Sequence, residues 1–481
     1  MSRQEEPGGV YCHKCTGDAW PESQRKVSLY MSLSRLALYA SARGWARWAM
    51  AVGLLSAAAW AVPSFSRQTG FPCSTCHTTP PELTAFGRQF KLNGYTLTNM
   101  KTVQAPGKGN QAGLQLNSFL PLSVMFQISD SLTRTAIPGT QNNAVEFPQQ
   151  LSLFLAGAWS THAGSFMQIT YSGPGDHLSM DNTDIRFANQ AKLGGKTLVY
   201  GLDFNNNPTV EDLWNSTPAW GFPYISSDSA PGPITGALID GGLAQDVAGV
   251  GVYGMYDDHL YLDVTAYRSM HLGGAEPPDG NGFGINIHGV APYARLAWQQ
   301  QMGSNTLFEI GGYGLYLRSY PNAITGPRDT YRDIAADFTI DQQLGANQLS
   351  IYGTDIYEHS NLDASLIAGA AGLSVHKLNT ARANATYHWG DRYAATAGVF
   401  GISGTTDSTL FGPNPVSGSL SGSPQSDGYI MQFAYWPWQN INFTAQYTGY
   451  WKFNGGGTNY DGSGRNATDN NTIYLAGWFI F

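Results

Sequence analysis

The chain has 481 residues, a formal net charge of −8 and 13 % aromatic residues, and only 12 % of its residues are charged, where about 25 % is usual. This excludes a disordered tail, a nucleic-acid binder resting on a basic surface and, with four cysteines in so long a chain, a disulfide-stapled scaffold. A mean hydropathy of −0.23 together with 13 Trp, 26 Tyr and 22 Phe suits a polar-inside, aromatic-girdled β-barrel facing outer-membrane lipid.

The first segment reads as a targeting signal. Arg35, Arg43 and Arg47 precede the apolar run Trp48–Trp60, and Ala59-Trp60-Ala61 supplies a small-x-small cleavage site. That order is the one export signals use, and the run is too short for a helical anchor. Residues 1–61 are therefore expected to be a leader, cut after Ala61. Residues 1–30 are polar, and Met31 makes a better start for such a signal. Cys12 and Cys15 are spaced C-x-x-C, but Thr16 follows them where a haem site needs His.

Beyond the leader the only cysteines lie in Cys73-Ser-Thr-Cys76-His77. This is the spacing of c-type haem attachment. Two thiols add to the two vinyl groups, and the adjacent imidazole becomes an axial ligand of the iron. A redox disulfide is the competing reading, but it needs no His beside the second Cys. Pro80-Pro81-Glu82 is expected to open a helix, with a carboxylate at its positive end. Leu83, Phe86 and Phe90 follow at helical spacing, Phe86 and Phe90 as packing against the haem, and Asn93-Gly94 closes the helix. Met100 is the candidate sixth ligand, with a barrel residue such as His162 as the alternative. The glycine-rich stretch at 105–109 reads as a linker, so residues 62–111 form a small cytochrome unit. A unit of that size buries too little core to stand alone and needs a surrounding wall.

Residues 112–481 supply that wall. Ile334, Ala336, Phe338 and Ile340 alternate with Asp333, Asp337 and Asp341, and Ile441, Phe443 and Ala445 alternate with Asn442, Thr444 and Gln446. In 306–317, Phe308, Ile310 and Tyr316 oppose Glu309 and Tyr313. Period-two alternation is what a strand between lipid and a wet lumen requires. Short links near 161–164, 193–196, 257–258, 301–304, 344–346, 390–391 and 437–439 alternate with longer Gly/Pro/Asn/Ser-rich stretches near 130–144, 173–180, 207–242, 270–286, 319–329, 359–372, 405–425 and 454–469. The pattern predicts an all-β, antiparallel transmembrane barrel of about sixteen strands, with both ends periplasmic and the small cytochrome unit plugging the lumen. The last segment ends Trp478-Phe-Ile-Phe481, resembling the assembly signal of such barrels. Asp203, Asp263, Asp333, Asp337, Glu309, Arg186, Arg295 and Lys452 fall on expected inner faces. They either solvate the pore and pair with one another or guide a hard cation. Neither a nucleophile elbow nor a phosphate loop occurs.

The signal, Cys73-x-x-Cys76-His77, the stretch PELTAFGRQFKLNGY at 81–95 and the barrel-like remainder together resemble the outer-membrane cytochrome–porin fusions of iron-oxidising bacteria. The resemblance implies an Fe(II):cytochrome c oxidoreductase acting on extracellular Fe(II). It further implies one covalent haem c on Cys73, Cys76 and His77, and a periplasmic cytochrome c or copper carrier as acceptor. An outward conduit that reduces external metal, a porin whose haem is a structural plug, and a cytochrome acting on a small molecule are the competing functions.

Overall fold

The computed structural model describes residues 63–97, 102–105, 107, 113–140, 142–223, 225–270, 285–321, 323 and 325–481. The leader, Cys12, Cys15, Met31 and Met100 lie outside the described residues. Among the described residues, sixteen antiparallel strands from Leu122–Thr133 to Thr472–Ile480 pair in sequence order, and the last closes on the first. Closure runs through pairs such as Phe126↔Phe479 and Asp130↔Leu475. The expected strand count and antiparallel order are thus the observed ones.

The alternation has its physical meaning in the wall. Leu202, Val252, Leu262, Leu296, Ile310 and Phe338 are exposed on the outside and are matched across strands, as in Leu202↔Val252 and Ile310↔Phe338. Trp159, Trp389, Tyr393 and Trp438 stand exposed beside short turns, where an aromatic girdle meets the lipid interface. Arg186, Asp203, Asp263, Arg295, Glu309, Asp333 and Asp337 are buried on the inside. A closed barrel with an apolar outer band, a girdle and a charged interior is an outer-membrane barrel. Its short turns mark the periplasmic end, and Phe481 lies there, its backbone exchanging hydrogen bonds with Val124 near the start of the first strand.

Three expectations are corrected. The stretch 173–180 is not a long loop, because pairing resumes at Ser172↔His177 and leaves a tight turn. Lys452 does not face the lumen. A bulge puts Asp427 opposite Lys452 and Gly428 opposite Tyr450, which shifts the alternation by one, and Lys452 is exposed with Nζ 3.3 Å from Gln425 Oε1. The helix expected at Pro80 begins instead at Ala85, capped by the Thr84 hydroxyl, which accepts from Gly87 N at 3.1 Å. Residues 80–82 belong to the turn that brings Leu83 beside His77. Between plug and wall, Thr102–Ala105 pairs with Leu114–Asn117 across the expected boundary at 111/112, and the wall itself starts at Leu122.

The lumen is filled by the chain itself. The plug comprises helices α1 (Pro63–Thr69), α2 (Cys73–Cys76) and α3 (Ala85–Leu92). From α3, Arg88 pairs with Asp341 of the wall at 2.7 Å, and Leu92 is buried among Val199, Tyr253 and Tyr261. Tyr95 donates to Asp184 at 2.6 Å, and Gln68 bridges Tyr95 O to Ala158 N at 2.8 Å on each side. A second body of chain, the loop 206–246 with its short helix α4 (Pro208–Glu211), folds inward and buries Val210, Leu213, Trp214 and Ile239. Lys91 donates to Asp212 O at 3.0 Å and to Val210 O, tying plug to loop. Arg295 reaches from the wall to Asp212, Glu309 and Asp337 at 3.2, 3.0 and 2.7 Å.

Removing one partner of a buried ion pair leaves the other uncompensated and costs about 3–5 kcal/mol. Arg88→Ala is therefore expected to loosen the plug so that trypsin cuts within 63–97, while the barrel still migrates as a folded species on an unboiled gel. Unchanged protection would show that the Arg88–Asp341 pair does not hold the plug in place.

Candidate cofactor cavity

The two cysteines sit on one short turn whose neighbours fix it from three sides. His77 N donates to Cys73 O at 2.9 Å, Thr84 N donates to Cys76 O at 2.9 Å, and the Thr84 hydroxyl donates to Thr75 O at 2.6 Å. Helix α3 crosses this turn at Gly87, where a Cβ would lie 2.2 Å from Cys76 O. Only glycine permits that approach, so Gly87 sets how closely α3 and the cysteine turn pack. Cys73 meets the wall: its backbone N lies 3.1 Å and its Sγ 3.3 Å from Gln439 Oε1, in a short periplasmic turn.

His77 Nδ1 lies 3.2 Å from Glu82 O. A carbonyl only accepts, so this contact assigns the proton to Nδ1 and leaves the Nε2 lone pair available as a ligand. Burial lowers the pKa of the ring and keeps it neutral, opposed more weakly by backbone hydrogen bonds to Glu82 and Pro81. A neutral imidazole with one nitrogen oriented by a carbonyl is the form that binds a metal.

These residues face a cavity of about 350 Å³ that Cys73, Cys76 and His77 all line, within the size range of cofactor pockets. Its other walls are Phe65, Phe90 and Leu83 of the plug, Val210 of the inward loop, and Met125, Trp220, Trp436 and Trp478. Phe65 stacks on Tyr95 at 5.5 Å and meets Phe90 edge-on at 5.1 Å. Gly390, Asp391, Gln439 and Asn440 also line it, which puts it at the periplasmic end. The donor set fits a covalently held haem: two thiols and an oriented imidazole on one turn, against an aromatic wall. Burial pushes the Cys76 thiol up to about 11.

Cys73, Cys76, His77 and Phe90 are thus brought together as the sequence suggests. Phe86 lies outside the cavity lining and reaches it through Phe71, edge-on at 5.4 Å. His162 is also absent from the lining; its Nδ1 sits 3.2 Å from Ala188 O in a turn. Among the further lining residues are a thioether, Met125 of the first barrel strand, and an imidazole, His388, whose Nε2 is 3.3 Å from the Thr79 hydroxyl. Each falls on an inward position of its strand, which period-two alternation can identify. Their meeting at the plug follows from barrel closure, which no local pattern encodes.

No family model matches the chain, and no curated protein does. Solved structures similar to it include the anion-selective porin from Comamonas acidovorans (9 % identity, TM-score 0.44, covering 75 % of this chain and 98 % of that one). The outer membrane channel DcaP of Acinetobacter baumannii gives 12 % identity and a TM-score of 0.45 over 75 % of this chain and 96 % of its own. Salmonella typhi OmpF gives 13 % and 0.43 over 75 % and 97 %. The class defined by the fold is that of porin-like outer-membrane barrels. This chain carries its cysteine–histidine turn inside the lumen.

In protein isolated with both thiols unmodified, alkylation of Cys76 by iodoacetamide is expected to be slow at pH 8 and to rise steeply toward pH 11, because burial disfavours the reacting thiolate. A rate that levels off near pH 8 in a mass-spectrometric time course would contradict this environment.

Proposed function

We propose that the protein is an outer-membrane c-type cytochrome built into a porin-like barrel, which oxidises Fe(II) arriving from outside the cell and passes electrons to a periplasmic carrier. The observation that carries this reading is the cavity of about 350 Å³ where Cys73, Cys76 and His77, its Nδ1 turned to Glu82 O, converge at the periplasmic mouth. When bound there, haem c supplies a one-electron couple. Cys73 and Cys76 would hold it as thioethers, and His77 would ligate its iron through Nε2. Glu82 O keeps the imidazole in the required tautomer. Phe65, Phe90, Trp220 and Trp478 form an apolar wall to the site, and Met125 and His388 would offer a thioether and an imidazole as further ligands to its iron.

The filled lumen supports electron conduction over solute flow, since plug and inward loop occupy the space that an open pore would need. The barrel wall taken alone favours a second reading, a solute channel with a structural plug.

Purified protein is expected to retain a haem stain on a denaturing gel and to show Fe(II)-dependent optical reduction at acidic pH. Cys73→Ala with Cys76→Ala should remove the covalent stain. His77→Ala should abolish the reduction while the barrel remains heat-modifiable. A strongly positive midpoint potential supports iron oxidation, and a low one would reverse the direction to metal reduction. Wide, water-filled conductance with no redox response would establish the channel reading instead.

A further inference from the structure

We propose that Asp203, Glu211 and Asp263 form a divalent-cation site inside the lumen, distinct from the cofactor cavity. Asp203 lies on the strand Lys196–Asn205, Asp263 on Leu260–Ser269 and Glu211 at the end of α4. One carboxylate oxygen from each lies within 4.8 Å of the other two, and all three residues are at most 1 % exposed. Three buried carboxylates cannot all stay charged without a counter-charge. The neighbouring cations pair with other carboxylates. Arg186, in register with Asp203, pairs with Asp184 at 2.8 Å through Nε and donates to Glu211 O through Nη2, and its buried Nη1 makes no hydrogen bond. Arg295, in register with Asp263, holds Asp212, Glu309 and Asp337. Lys91 lies 4.0 Å from Asp184. Among the described residues no cation forms an ion pair with the three.

The observation that points to a ligand is independent of the clustering. Glu211 Oε1 and Asp203 Oδ1 are wholly buried and have no hydrogen-bond donor. Their sister oxygens are fully engaged: Asn205 donates to Asp203 Oδ2 at 2.6 Å and to Glu211 Oε2 at 2.5 Å, and Tyr267 donates to Glu211 Oε2 at 2.7 Å. In Asp203 and Glu211 one oxygen is thus oriented by an outer shell and the other left bare, the division a ligating carboxylate shows, whereas Asp263 accepts at both oxygens, from Tyr261 at 2.8 Å and Thr265 at 3.1 Å. The strand between Asp203 and Thr265 carries Gly251, in register with both. A Cβ there would lie 2.1 Å from Asp203 Oδ1 and 2.1 Å from Thr265 Oγ1. Glycine therefore keeps clear the space that the bare oxygen faces.

An all-oxygen set rich in carboxylates selects a hard divalent cation such as Mn(II), Mg(II), Ca(II) or Fe(II). Thr209, Val210 and Asp212 line the cofactor cavity, whereas Glu211, between them in sequence, turns to Asp203 and Asp263. A single turn of helix separates the two sites. The cation site stands without the cytochrome reading; under it, this is where Fe(II) would pause beside the cavity.

The test uses the full-length protein in detergent, stripped of metal and titrated with Mn(II), with free Mn(II) read from its solution EPR signal. A single saturable Mn(II) is expected, displaced by anaerobic Fe(II). Glu211→Gln and, separately, Asp263→Asn should weaken it by about tenfold or more. Both variants should keep the heat-modifiable migration of the folded barrel, and Asp333→Asn, at a buried carboxylate outside the three that accepts from Ile239 N at 2.8 Å, should leave binding unchanged. An undiminished EPR signal in the wild type, with the carboxylates taking up protons instead, would overturn the proposal. So would equal affinity in both folded variants. No haem signal enters the measurement, so loss of Mn(II) binding and loss of haem report separate failures.

Discussion

Lipid offers no hydrogen bonds, so a sheet that crosses it must close on itself. That constraint determines the remaining architecture. Here closure joins the strand Leu122–Thr133 to Thr472–Ile480 and brings sixteen strands around one lumen. A circle of that size is wider than the side chains of its own wall can fill. The chain fills it with the residues 63–97 and the loop 206–246, and neither is bound by apolar burial alone. Arg88, Lys91 and Tyr95 on the plug, and Asp212 and Asp240 on the loop, meet wall residues or each other through charged hydrogen bonds. Arg382 holds Asp240 with both nitrogens, at 2.5 and 2.8 Å, the planar fork-to-fork contact that fixes orientation as well as position.

The small size of the plug follows from the same circumstance. A segment of this length has little core to bury by itself. Leu92 finds its environment among Val199, Leu213, Trp214 and Tyr253, supplied by wall and loop. Phe65 packs against the cluster containing Met125, Phe154 and Trp478. The cavity is the space left between plug, loop and wall after these contacts are made. Its place at the periplasmic mouth comes from two anchors, Cys73 on Gln439 and Thr79 on His388, both next to short turns.

Much of the wall was legible because lipid on one side and polar lumen on the other force a period of two. Asp333, Asp337 and Asp341 face inward and Ile334 and Phe338 outward, as their spacing demands. Legibility failed where a local event broke the period. The bulge opposite Asp427 turned Lys452 outward, and Thr84, not Pro80, supplied the hydroxyl that starts α3. The site divides in the same way. Cys73, Cys76 and His77 form a contiguous motif whose chemistry is local. Met125 and His388 reach the same cavity from strands far apart in sequence, so their part depends on closure and register. The inward folding of 206–246 had a signal that composition obscured: Val210, Leu213 and Trp214 recur at i, i+3 and i+4, around Glu211 and Asp212, inside a stretch otherwise rich in Gly, Pro and Ser.

Helix α4 shows how one turn of chain can serve two opposed environments. Asn207 caps it by accepting from Thr209 N at 3.1 Å, and Pro208 occupies its first position, where a missing N–H is harmless. Thr209 and Val210 are thereby presented to the aromatic cavity and Glu211 to the carboxylates of the opposite wall. An apolar surround disfavours the more positive state of a redox centre and so raises its potential. An anionic surround would lower it and would instead attract cations. Merging the two would therefore set the potential against the supply of a cationic reductant. Under the functions proposed above, keeping them on opposite sides of a four-residue helix would let each environment act on its own occupant.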